Sequence, residues 1–334
     1  MSVFNYSYSE AANNFNTSPY SRWFSNNTRE EGKIYMPERL GGIFKPHCDF
    51  NPKIKRSSKI FTIGSCFARG LERAAHRAGM TAVSRDTRPF FGEDVVAGFV
   101  NRYNTAAIAN ELRWASGEEQ YSDDFFVETS ASAYIDPHSH PIIAAMPLDK
   151  AKDMRSNLSS YFAQAFDADV ITITLGLIES WYDKKAGSAL NLMPAYGRND
   201  NQGRKLIDGD RFEFQVMSFE ENMRNLQEIY RIIRANNPDC QIVVTVSPVP
   251  LSATFSHRDV SIANMMSKST LRTCAESWIG IHPEIQYFPS YEMAVMSDPS
   301  IVYQDDGIHI QDSFVKEIMA HFMRNCVEID RSSC

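Results

Sequence analysis

Between residues 59 and 79 the chain changes its hydrophobic period in a way that few folds can accommodate. Lys59-Ile60-Phe61-Thr62-Ile63 is a short apolar, β-favouring run of buried-strand length. After Gly64-Ser65-Cys66, the residues Phe67, Leu71, Ala74, Ala75 and Ala78 recur at helical spacing, and Gly79 supplies a C-terminal stop. The segment reads as strand, tight glycine turn, helix. Ser65 and Cys66 fall on the turn, at the carboxyl end of the strand, where open α/β sheets place their ligands. The first amides of the helix point at the same spot and favour negative charge. Cys66 is therefore expected to be more acidic than a free thiol, and the thiolate is the attacking form.

The remaining periodicities repeat the alternation. A helical piece is predicted near 105–116, and a helical stripe runs through Met154, Leu158, Tyr161, Phe162 and Ala165. Buried strands are predicted at 169–175 and 241–246, with an amphipathic helix on Phe219, Met223, Leu226, Tyr230 and Ile233 between them. A helix within 259–278, a short strand at 285–288 and a closing helix at 313–323 complete the pattern. Such alternation implies an α/β fold with a parallel sheet and helices on both faces. Residues 1–55 lack a sustained period and read as an arm packed on the domain or partly disordered; Trp23 and Phe24 favour packing. The domain is expected over 56–330, with 182–215, rich in Gly, Asn, Asp and Lys, as an insertion or lid.

Gly64-Ser65-Cys66-Phe67-Ala68 after a strand resembles the signature of the GSCFA family, which is grouped with the SGNH/GDSL hydrolases. Tyr103-Asn104-Thr105, Thr174-Leu175-Gly176 with Glu179 and Trp181, and Thr245-Val246-Ser247-Pro248-Val249 agree in order. So do Ser267-Lys268 with Leu271-Arg272, Tyr287-Phe288-Pro289-Ser290-Tyr291-Glu292, and Asp306-Gly307-Ile308-His309. The resemblance covers residues 55–325 and implies an SGNH-hydrolase-like, flavodoxin-type three-layer sandwich around a parallel sheet.

In Asp306-x-x-His309 a carboxylate three residues from an imidazole can hold one ring nitrogen and leave the other as a base. The resemblance implies these roles for Asp306 and His309. Aligning the SGNH Gly-Asp-Ser on Gly64 puts Cys66 at the nucleophile position; sliding by one residue puts Ser65 there, and both stay open. The SGNH third block carries Gly-x-Asn-Asp, whose asparagine donates to the oxyanion. Here the stretch is Gly176-Leu177-Ile178-Glu179-Ser180-Trp181, with Ile178 in place of asparagine. Loss of one such donor costs about 100- to 1000-fold in rate. The amides of Cys66 and Gly176 and the side chain of Asn104 are the substitutes available. Glu179 is expected to grip a substrate hydroxyl or cation, and Trp181 to form a pocket wall or a core contact. Ser247, ending a strand at the same sheet edge, is a further candidate for the pocket lining.

Composition narrows the partners. With 34 basic against 41 acidic residues, a net charge of −7 argues against nucleic acid or an anionic membrane surface. No apolar run is long enough to span a bilayer and the N-terminus has no signal-peptide pattern, so a cytoplasmic protein is expected. The six cysteines show neither C-x-x-C pairing nor a disulfide framework. Asp136-Pro137-His138-Ser139-His140 places three metal-capable side chains at alternate positions, but no further ligand cluster accompanies them and no metal is expected; a pocket-rim role for either histidine is the other reading. No glycine-rich phosphate cradle is present and no cofactor is implied. The expected partners are a small-molecule or glycan substrate, with an acyl donor if the reaction is transfer. Esterase or O-acyltransferase chemistry stands first, and a non-catalytic carbohydrate-binding protein on the same fold is the alternative.

Overall fold

The computed structural model describes residues 3–24, 30–93, 97–129, 133–140, 145–194 and 207–328. Helix α1 (Tyr8–Thr17) precedes strand β1 (Lys59–Gly64) and helix α2 (Cys66–Arg77). Strand β2 (Thr81–Ala82), helices α3 (Arg88–Phe91) and α4 (Thr105–Ala115), and the short antiparallel strands β3 (Val127–Glu128) and β4 (Tyr134–Ile135) follow. Helix α5 (Leu148–Ala163) leads into strand β5 (Val170–Leu175). Strands β6 (Glu179–Asp183), β7 (Ser188–Leu190) and β8 (Phe212–Val216) come next, then helix α6 (Phe219–Asn236) and strand β9 (Gln241–Val246). Helix α7 (Val260–Ile281), strand β10 (Gln286–Tyr287) and helices α8 (Ser290–Val295), α9 (Pro299–Val302) and α10 (Asp312–Cys326) complete the chain.

Five strands form one parallel sheet in the order β10-β9-β5-β1-β2. Counting only these five along the chain, the order is 2-1-3-4-5, the flavodoxin arrangement. Every residue of β5 is buried, as is all of β1 except Lys59, which is the pattern of strands covered on both faces. One face packs Leu112, Leu158, Phe162, Ile229 and Trp278 from α4 to α7. The other packs Phe67 and Leu71 of α2 against Phe314, Ile318 and Phe322 of α10. Three layers result. Buried Arg69 fastens α2 to β1 by donating to the Thr62 carbonyl at 3.0 Å.

One expectation is corrected here. Trp23 and Phe24 are 65% and 63% exposed, so they do not pack the N-terminal segment. Its buried apolar residues are Tyr35, Met36, Phe44, Phe50 and Ile54, and the Ile54 amide donates to Cys326 O at 2.8 Å. Within 182–215, read as an insertion or lid, the described residues include the end of β6, all of β7 and most of β8, which form an antiparallel sheet of order β7-β6-β8, while 195–206 lie outside the described residues. Short strands with Gly and Asn between them hide the period that would have marked them. Among the described residues no helix is long and apolar enough to cross a membrane.

Candidate active site

The order reversal between β1 and β5 opens a crevice at the carboxyl edge of the sheet. Gly64 ends β1 at φ +135°, and a Cβ there would stand 2.2 Å from the Thr174 carbonyl oxygen. That contact admits only glycine, and it lets the turn fold tightly against β5. Ser65 caps α2 and donates its amide to Thr174 O at 3.2 Å; its hydroxyl lies 3.4 Å from Thr174 Oγ1 and the residue is buried. Cys66 opens α2, with the Cys66 and Phe67 amides directed at its own sulfur. On the neighbouring strand end, Gly176 lies against the Tyr103 carbonyl, where a Cβ would approach to 2.6 Å. The Leu177 amide donates to the same carbonyl at 2.9 Å.

His309 comes to this edge from the loop before α10. Its Nδ1 stands 2.5 Å from Asp306 Oδ2, while Asp306 Oδ1 accepts the Ile308 and His309 amides at 2.9 Å each. An ionised carboxylate only accepts, so Nδ1 carries the proton and Nε2 presents its lone pair. These bonds hold the Asp306 carboxyl down at about 2, the His309 side chain contributing most. A carboxyl depressed in the folded state holds its partners above its ordinary value of 3.8 and releases them as pH falls through about 2. The amide proton shifts of Ile308 and His309 are therefore expected to stay constant down to about pH 3 and move only below it. In Asp306→Asn those shifts should already be displaced at neutral pH. Unchanged shifts in that variant would contradict the arrangement.

Ser65, Cys66, Gly176, Glu179, Trp181 and His309 line one cavity of about 630 Å³, with Asp306 behind the imidazole. No hydrogen bond joins Cys66 to His309, although both line this cavity. Trp181 packs on Phe255 and Phe214 with ring centroids 5.2 and 5.7 Å away, forming an aromatic wall. Glu179 accepts from the Thr254 hydroxyl. Ser247 is at the floor, its hydroxyl oxygen accepting the Val249 amide at 3.3 Å.

The GSCFA family model matches residues 59–322. This chain belongs to the GSCFA family. No curated protein matches it. Among solved structures, this GSCFA chain is similar to an acetyl esterase variant with acetate ion, at 10% identity and a TM-score of 0.33 over 79% of this chain and 93% of that one. It is also similar to a family 3 carbohydrate esterase from Talaromyces cellulolyticus, at 11% identity and a TM-score of 0.32 over 79% and 94% of the two chains. A third is a Corynascus thermopiles (Myceliophthora fergusii) family 2 carbohydrate esterase with a carbohydrate binding domain, at 14% identity and a TM-score of 0.26. That match covers 47% of the GSCFA chain and 35% of the esterase's length.

Two site expectations are corrected. Asn104 does not reach the cavity of the GSCFA protein. Its Oδ1 accepts the Ala107 amide at 2.8 Å and its Nδ2 donates to Leu190 O at 2.9 Å, so the side chain is consumed capping α4 and holding β7. The Cys66 thiol is not acidified: burial pushes it up and outweighs the nearby ammonium of Lys268 and the two amides. Of the Asp136–His140 stretch, one histidine takes a position on the cavity wall. Asp136 accepts from Tyr121 at 2.6 Å, His138 is buried 4.9 Å from the Trp114 ring, and only His140 lines the cavity.

Lys268 is the residue that the sequence landmarks contained without assigning it a role. It is 2% exposed on α7, lines the cavity and donates from Nζ to Gly176 O at 2.7 Å. Its neighbour Ser267 accepts the Ile178 amide at 3.0 Å, so adjacent residues of α7 pin the 176–178 turn. Burial lowers the Lys268 ammonium to about 7, and attraction to Cys66 works against that fall.

Proposed function

We propose that this GSCFA protein is an SGNH-type hydrolase or acyltransferase acting on O-acyl esters, with Cys66 as nucleophile, His309 as base and Asp306 as its orienter. The observation that supports the reading is the convergence of Cys66, Lys268 and the free face of His309 on one cavity at the sheet's switch point. The sulfur bonds to the ester carbonyl carbon as the thiol proton passes to His309 Nε2. The carbonyl oxygen takes the electron pair, the C–O bond to the alkoxy group breaks, and His309 returns the proton to that leaving group. Water, or a hydroxyl acceptor, then gives its proton to Nε2 and attacks the acyl-cysteine, and the thiolate departs reprotonated. The apolar wall of Trp181, Phe214 and Phe255 suits an acyl chain or the face of a sugar ring. The cytoplasm, which keeps thiols reduced, is a compatible setting.

Lys268 supplies what Ile178 cannot. An ammonium has three donors and Gly176 O takes one, which leaves charge and donors for the oxyanion. Lys268→Met is expected to lower kcat about 100- to 1000-fold with little change in KM. Because the ammonium loses its proton as pH rises through about 7, wild-type kcat/KM should carry an alkaline limb there, absent from the variant. An identical pH profile in Lys268→Met would remove the residue from the mechanism. The function itself is tested by mixing the protein with a short-chain p-nitrophenyl ester and mapping the acyl group by mass spectrometry. An adduct on Cys66 that disappears on adding water-competing sugar, with formation of a sugar ester, identifies transfer. The absence of any adduct or turnover, with saturable sugar binding that survives His309→Ala, would replace this reading by the carbohydrate-binding one, which the aromatic wall favours.

A further inference from the structure

A second thiol site lies far from the cavity. Cys48, in the segment before β1, packs into the apolar cluster that contains Cys326, the last residue of α10, and the two thiols interact. Their backbones are held together as well: Ile54 N donates to Cys326 O at 2.8 Å, and Ile54 bridges Val327 in parallel register. His321 completes the cluster from α10, with Nε2 3.5 Å from Cys48 Sγ and 2.8 Å from Pro46 O. Asn325 Nδ2 donates to His321 Nδ1 at 3.1 Å, which leaves the imidazole proton on Nε2, facing Pro46 O and Cys48. Cys326 is fully buried, whereas Cys48 is half-buried and open to solvent.

We propose that Cys48 and Cys326 are an oxidisable dithiol that reacts with a low-molecular-weight disulfide such as oxidised glutathione, closing a bond between the N-terminal segment and α10. Cys48 is the attacking thiol. The Cys326 and His321 side chains draw its titration below that of a free thiol, which makes it the more nucleophilic of the pair. Cys326 is the resolving thiol, held protonated by burial and by the negative charge beside it. The remaining described cysteines lack this arrangement: burial raises Cys240 to about 11 and Cys274 to about 12, and raises Cys66. In the first step the Cys48 sulfur bonds to one glutathione sulfur, and the other leaves as a thiolate that takes a proton from water. Cys326 then attacks Cys48 Sγ and expels the second glutathione as a thiolate, which takes the Cys326 proton through solvent. Two protein thiols and one glutathione disulfide become one protein disulfide and two glutathiones. Sequence spacing hides the pair because its members lie at opposite ends of the domain.

The test uses full-length protein carrying Cys66→Ala, so that the cavity thiol cannot contribute adducts, and titrates it with oxidised glutathione under native conditions. Peptide mapping is expected to find residues 48 and 326 in one cross-linked peptide, with the intact protein two protons lighter. The loop closed by this bond spans most of the domain, so the thermal midpoint should rise by about 5 °C. Cys326→Ser should stall with glutathione on Cys48, and Cys48→Ser should leave Cys326 unreacted. A stable glutathione adduct on Cys48 when Cys326 is present, or a cross-link involving neither residue, would overturn the proposal. Ester turnover by the Cys66-containing protein is measured separately, so failure of one site leaves the other standing.

Discussion

Cys66→Ala is expected to lower kcat/KM for an activated ester by about 10⁴-fold or more and to abolish the acylated enzyme. In the proposed mechanism this removes the atom that forms the covalent bond and leaves only binding and electrostatic stabilisation. Ser65→Ala should stay within about tenfold of wild type, because the Ser65 hydroxyl sits 3.4 Å from Thr174 Oγ1 and the residue is 3% exposed. Both neighbours border the cavity, and the contrast lies in their contacts: the Ser65 hydroxyl rests beside Thr174 Oγ1, while the Cys66 sulfur is favoured as thiolate by Lys268 and the first helix amides. The measurement is steady-state hydrolysis of a p-nitrophenyl ester together with intact-protein mass spectrometry. Full activity in Cys66→Ala and loss in Ser65→Ala would reverse the assignment; full activity in both would exclude either nucleophile.

Gly64→Ala should cost on the order of 5 kcal/mol of folding stability, enough to deplete the soluble protein. Its Cβ would lie 2.2 Å from Thr174 O and 2.4 Å from Thr174 Oγ1, so β1 and β5 would have to part where their register is closest. The backbone conformation at φ +135° adds a second penalty for any L side chain. Gly70→Ala is the control within the same motif. There the added methyl would rest 3.5 Å from Val315 Cγ1, an ordinary contact, and the helical position gains about 0.5–1 kcal/mol from the substitution. Urea denaturation of the two variants separates the cases. Native stability in Gly64→Ala would mean that the turn is not closed against β5 as described.

The parallel core was legible because its strands are buried on both faces and each writes its own apolar run, as in Ile60-Phe61-Thr62-Ile63 and Val170–Leu175. The Asp306–His309 pairing was legible for a similar reason: it is local, and three residues of chain suffice to bring the two side chains together. Lys268 was not. A lysine on an amphipathic helix reads as a solvated charge, and only the packing of α7 beside Gly176 makes it a buried cation. The same limit explains Asn104, which preceded a helix and was free to cap it, and Cys66, whose acidity depended on a balance between burial and amides that spacing does not encode. Long-range pairs such as Cys48 and Cys326 leave no mark on sequence period at all.

Helix α2 carries the sulfur at its first residue, and α10 begins just after the loop that carries the imidazole. Both helices lie on one side of the sheet, Phe67 and Leu71 meshing with Phe314, Ile318 and Phe322. The spacing between Cys66 and His309 is thus gauged by an apolar seam between the two helices. One methylene added or removed along that seam would slide the two helices and reset the separation of sulfur and imidazole, leaving every polar group unaltered in kind.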